Sequence, residues 1–92
     1  MINKILNKTM DQKANIEYPT EWTYKIIAHS EENIWAATQA CLDDRKRTLT
    51  PSRQSAGGRF VSMELSLQVS SEEDRVSIFH RLFKEKGIKL VL

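Results

Sequence analysis

The chain has 92 residues, one cysteine and a net charge of +2, with 40% hydrophobic and 28% charged residues. That length holds a single domain, and that balance suits a folded soluble domain rather than a disordered one. It excludes an internal disulfide, and no apolar run approaches the ~20 residues of a membrane span, so no membrane partner is expected.

Residues 1–15 read as a polar leader outside the domain. Ile2, Ile5, Leu6 and Met10 are spaced as one stripe of a short helix, marginal by itself and expected to fray unless docked. The apolar start is too short for a secretory signal core, so a cytoplasmic location is expected. A single domain is expected over residues 16–92, its first strand running from Trp22 to Ala28. Trp22, Tyr24, Ile26 and Ala28 share one face of that strand, and Thr23, Lys25 and Ile27 share the other. Ser30 is placed to cap a helix over 31–42, with Glu31 and Glu32 in its first turn. Ile34, Ala37, Thr38 and Cys41 form its inner stripe, flanked by Trp35 and Leu42.

A weak strand is predicted around Arg47 to Arg53, anchored only by Leu49. Pro51 lacks an N–H, which assigns this strand to a sheet edge. Ser55-Ala56-Gly57-Gly58 reads as the hairpin turn, because glycine enters positive φ without a steric penalty. The strongest signal follows. Val61, Met63, Leu65, Leu67 and Val69 alternate with Ser62, Glu64, Ser66 and Gln68, which spells a strand with one buried face. Ser70 and Glu73 have capping-box spacing, and the second helix is expected from about Ser71 to Lys86. Its predicted inner stripe is Val76, Phe79, Leu82 and Phe83, and Gly87 is its predicted left-handed stop. Ile88 to Leu92 forms the last strand, and simple alternation from Ile88 sends Lys89 and Val91 to the open face.

The order strand, helix, strand, strand, helix, strand gives an α+β, ferredoxin-like βαββαβ fold. Right-handed crossovers place both helices on one face of a four-stranded antiparallel sheet, with the first and third strands central.

Tyr18-Pro19-Thr20 followed by Trp22-Thr23-Tyr24-Lys25, and Gly58-Arg59-Phe60-Val61-Ser62-Met63 before the alternating strand, resemble the YbeD-like family of small uncharacterised bacterial proteins. The likeness spans Tyr18 to Leu92. It implies a ferredoxin-like fold akin to the small-molecule regulatory (ACT-like) domains, and no established activity or catalytic residue.

The residues themselves point away from chemistry. Cys41 with His29 or His80 lacks an orienting carboxylate and a strained elbow, and Cys41 sits on an apolar stripe where cysteine is core filler. Two histidines and one cysteine without close spacing are not a zinc set, and no cofactor motif is present. No catalytic, cofactor or metal residue is therefore expected. The expected role is a regulatory or protein-interaction module that binds a protein partner, or a second copy of itself, through the sheet face or edges. The candidate face comprises Thr23, Lys25, Ile27, Phe60, Ser62, Lys89 and Val91.

The basic stretch Arg45 to Arg59 admits two readings. The favoured one is a solvated edge whose charges discourage aggregation. The other is a patch of Arg47, Arg53 and Arg59 contacting nucleic acid or another anion, although Phe60 alone is a thin stacking platform and Glu64 repels phosphate. A third reading is small-molecule effector binding at a dimer interface near Ala28-His29-Ser30-Glu31. The absence of glycine in that loop weakens it.

Overall fold

The computed structural model describes residues 16–52 and 58–92. The elements run β1 (Thr20–Ala28), α1 (Glu31–Leu42), β2 (Thr48–Pro51), β3 (Val61–Val69), α2 (Glu72–Phe83) and β4 (Ile88–Val91). The sheet order is β2-β3-β1-β4, and all three pairings are antiparallel. This is the ferredoxin-like α+β arrangement, with the two longest strands in the centre. The leader and the predicted turn residues Ser55, Ala56 and Gly57 lie outside the described residues, as does Arg53.

The alternation of β1 and β3 decides the layering. Tyr24, Ile26, Ala28, Met63, Leu65, Leu67 and Val69 are buried under the helices, joined by Ile34, Ala37, Cys41, Leu42, Ile78 and Leu82. Thr38 is fully buried as well, and its hydroxyl donates to the Trp35 carbonyl at 2.9 Å, so the core keeps no unpaired hydroxyl there. Pro51 lies in β2, an edge strand, as its missing donor requires.

Three local expectations shift. The second helix is capped by Ser71 rather than Ser70: the Ser71 hydroxyl accepts from Asp74 N at 3.0 Å, while Asp74 Oδ2 reaches back to Ser70 N at 2.9 Å. Two serines before three acidic residues leave the cap ambiguous by one position. The buried line of α2 passes through Ile78 and Leu82, with Val76 and Phe79 only partly covered and Phe83 half exposed. The predicted stripe is therefore rotated, and Phe83 instead stacks on Phe79 with ring centroids 6.4 Å apart. The third shift is in β4. Ile26 pairs Val91 and Ile27 pairs Leu90, but Ala28 pairs Ile88, leaving Lys89 as an extra residue. That bulge turns Val91 into the core, 3% exposed, and brings Leu90 to the open face.

Gly87 carries the backbone from α2 into β4 at φ +82°, and its carbonyl accepts from His29 N at 3.3 Å. A Cβ built there would fall 2.4 Å from Asn33 Cγ. The Asn33 amide is held by the α1 cap, because the Ser30 hydroxyl donates to Asn33 Oδ1 at 2.9 Å. Gly87→Ala is therefore expected to cost about 1–2 kcal/mol, measured by urea unfolding. An unchanged midpoint would show that neither the backbone angle nor the Asn33 contact constrains this position.

Candidate functional site

Both helices cover one side of the sheet, and no described element covers the other. Glu21, Thr23, Lys25 and Ile27 of β1 stand on that open side opposite Gln68, Ser66, Glu64 and Ser62 of β3. Thr23 Oγ1 and Ser66 Oγ are 2.8 Å apart, a cross-strand hydroxyl pair. The register places Lys25 directly across from Glu64, so opposite charges are neighbours in the middle of the face. Toward β4 the face becomes apolar, with Ile27 beside Leu90, which is 40% exposed. At its end the Phe60 ring lies between two cationic or polar groups: the His29 ring at 5.2 Å and the Lys89 ammonium at 5.8 Å.

Of the seven residues expected to form an interaction face, Thr23, Lys25, Ile27 and Ser62 lie on the open side, with Phe60 and Lys89 at its end. Ser62 is buried among its neighbours. Val91 does not belong there. Its side chain packs in the core, and Leu90, which simple alternation overlooked, takes the place.

Of the arginines expected to form an anion patch, Arg47 is engaged within the fold. Arg47 donates to the carbonyls of Asp43 and Arg45 at 2.7 and 2.9 Å and to Gln39 Oε1 at 3.1 Å, closing the end of α1. Its neighbour Arg45 grips both Asp74 carboxylate oxygens and donates to the Gln68 carbonyl at 2.9 Å. Arg59 is exposed, and Arg53 lies outside the described residues.

Cys41 is 6% exposed, and burial, with Glu85 adding to it, pushes its thiol above the usual range. A thiol held protonated in an apolar setting is a poor nucleophile. Among the described residues no three histidine, cysteine or acidic side chains come together to hold a metal ion. No helix among the described residues is long and apolar enough to cross a membrane.

A concave feature lies on the helix side, and sequence reasoning missed it. Where α2 passes over β1, a cleft of about 410 Å³ opens between Trp22, Arg75, Val76, Phe79, His80 and Leu92, with Tyr24 at its base. The Tyr24 hydroxyl donates to the Arg75 carbonyl at 2.7 Å, and burial pushes its pKa up to about 12, against the opposing pull of Arg75. Tyr24 is thus a neutral structural donor. The Arg75 guanidinium lies 4.4 Å over the Trp22 ring, and its Nε donates to the Tyr18 hydroxyl at 3.1 Å. The available signal was Arg75 itself, a cation one helical turn before Ile78 and Phe79 on the inward side of an amphipathic helix.

Residues 13–92 match the family described as "Protein of unknown function (DUF493)". A curated relative, an uncharacterised protein (Cj0253) of Campylobacter jejuni, is 32% identical over 73 residues, covering 79% of this chain and 84% of that protein. Two solution structures of HP0495 from Helicobacter pylori share the fold at 24% identity. One superposes with a TM-score of 0.73 over 85% of this chain and 86% of the other, and the second with 0.62 over 85% and 91%. The aromatic opening, the motif before the alternating strand and the match over residues 13–92 all lead to one assignment: the chain belongs to the DUF493 family of small, uncharacterised, YbeD-like proteins.

Proposed function

We propose that this domain binds another protein chain with the open side of its sheet and performs no chemistry of its own. One observation carries the reading. Ile27 and Leu90 are neighbours in register on a sheet side that no described element covers, surrounded by Thr23, Lys25, Ser66 and Lys89. An apolar centre with a polar rim is the usual anatomy of a protein interface. A second copy of the chain is the first candidate partner. Glu21 and Glu64 balance Lys25 and Lys89 across this face, so it builds no one-signed field that would repel a copy. A regulatory or accessory role toward a partner protein would use the same surface.

The other two readings have less support. Asp74 neutralises Arg45, and Arg47 commits donors to the Asp43 carbonyl and Gln39, so neither guanidinium presents an open fork to a phosphate. The loop after β1 is likewise committed: Ser30 caps α1 and His29 N is bonded to Gly87.

The test is the double variant Ile27→Ser with Leu90→Ser in the full chain. Sedimentation equilibrium of the wild type is expected to show reversible dimerisation, weakened at least about tenfold in the variant. The melting temperature should hardly change, because neither side chain belongs to the core cluster. A wild type that stays monomeric at every concentration, or a dimer indifferent to both substitutions, would refute self-association through this face.

A further inference from the structure

We infer that the cleft between β1 and α2 is a binding site for a small monocarboxylate carrying an aromatic ring. It lies on the helix side of the sheet, so it is independent of the protein-binding face.

Arg75 supplies the polar anchor. A guanidinium carries five N–H donors in a planar fork. Here Nε is taken by the Tyr18 hydroxyl, and Nη2 stands 4.0 Å from the exposed Glu72 carboxylate, too far for a hydrogen bond. Among the described residues nothing else receives the remaining N–H groups. The fork is also held in place. Trp22 lies 4.4 Å beneath it, the Tyr18 bond fixes one edge, and its side chain is 22% exposed. A cation already ordered by its neighbours loses little entropy when a ligand arrives, and a carboxylate fits the fork with two parallel bonds.

The walls define the rest of the ligand. Trp22, Val76 and Phe79 offer aromatic and aliphatic surface, and His80 stands exposed beside Phe79 with the two rings edge to face at 5.3 Å. The Tyr24 hydroxyl is already committed to the Arg75 carbonyl, so it does not compete for the ligand. One cation among apolar walls suits a singly charged head with a ring-sized apolar body. A phosphate dianion would call on several donors, and among the described residues Arg75 is the only Lys or Arg lining the cleft. At about 410 Å³ the space is near the lower end of small-molecule sites, too small for a dinucleotide.

Phenylacetate and its neutral amide, phenylacetamide, are the probes. Each is titrated into the full chain at fixed ionic strength, and NMR follows the two indole N–H signals and the His80 ring. Phenylacetate should shift the Trp22 and His80 signals saturably and leave Trp35, which is exposed on α1, unmoved. Phenylacetamide should bind at least about tenfold more weakly, because it cannot form the charged pair. Arg75→Gln should lower phenylacetate to the level of the amide. The acid–amide comparison within the wild type stands even if that variant is unstable. No saturable shift, equal binding of acid and amide, or parallel drift of Trp22 and Trp35 would each overturn the assignment.

Discussion

Leu65→Ala is expected to remove about 2–5 kcal/mol of stability. Leu65 is fully buried at the middle of β3, directly across from Tyr24 in β1 and Leu49 in β2. Its side chain points into the layer between sheet and helices, so truncation removes apolar burial and leaves a void lined by the two strands and the helices above them. Neighbours held in a four-stranded ladder cannot close in to fill it. For a domain whose total stability is on the order of 5–15 kcal/mol, that loss is a large fraction of the whole. Urea unfolding with an unchanged slope and a much lower midpoint is the expected record. A loss below about 1 kcal/mol would mean that the layer repacks freely and that the helices do not rest on Leu65.

The second large effect concerns Asp74. This carboxylate receives both arms of Arg45 and the backbone N–H of Ser70, and its own N–H is bonded to the Ser71 cap. Arg45 also holds the Gln68 carbonyl, so one ion pair ties the segment after α1 to the end of β3 and the start of α2. The Arg45 hydrogen bonds, assisted by Ser70, depress the Asp74 pKa to about 2 despite the opposing effect of burial. A carboxylate whose folded pKa lies below its unfolded value contributes stability above the unfolded value, near 3.8, and loses it as pH falls toward about 2. Allowing for solvent around Arg45, whose side chain is 36% exposed, the contribution is roughly 1–2 kcal/mol at neutral pH. Asp74→Asn should therefore destabilise the protein by that amount at pH 7, and the gap to wild type should close as the acid range is entered. A gap of constant size from neutral pH to about pH 2.5 would show that the cost comes from lost packing or cap geometry, not from charge.

These two sites differ in how visible they are in the sequence. Leu65 belongs to an uninterrupted alternation, and strand geometry alone sends it inward. Arg45 looks like one more charge in a basic run. Its partner lies 29 residues away, on an element whose distance from it the sequence does not encode. Arg47 is hidden from sequence reading for the same reason. Arg47 reads as available charge until the end of α1 is seen to need its donors.

The open face was also only partly legible. Thr23, Lys25, Ile27 and Ser62 follow from alternation within β1 and β3, where the register runs unbroken from Thr20 opposite Val69 to Ala28 opposite Val61. The error at Val91 comes from one bulged residue: a single insertion reverses the facing of everything beyond it. The cleft was invisible for a different reason. It requires Tyr18, Trp22 and Arg75 to meet across more than 50 residues of chain, and neither segment has an unusual local pattern.

The elements, their order and hence the sheet topology follow from local patterns in the chain. Periodicity, caps and turn residues act over a few positions, and chirality then leaves few ways to assemble the pieces. Tertiary structure alone decided the rotation of α2 that exposes Phe83, the bulge that exchanges Val91 for Leu90, and the pairing of Arg45 with Asp74. Each depends on which distant surface arrives opposite a side chain, and close packing fixes that choice only once the layers have met.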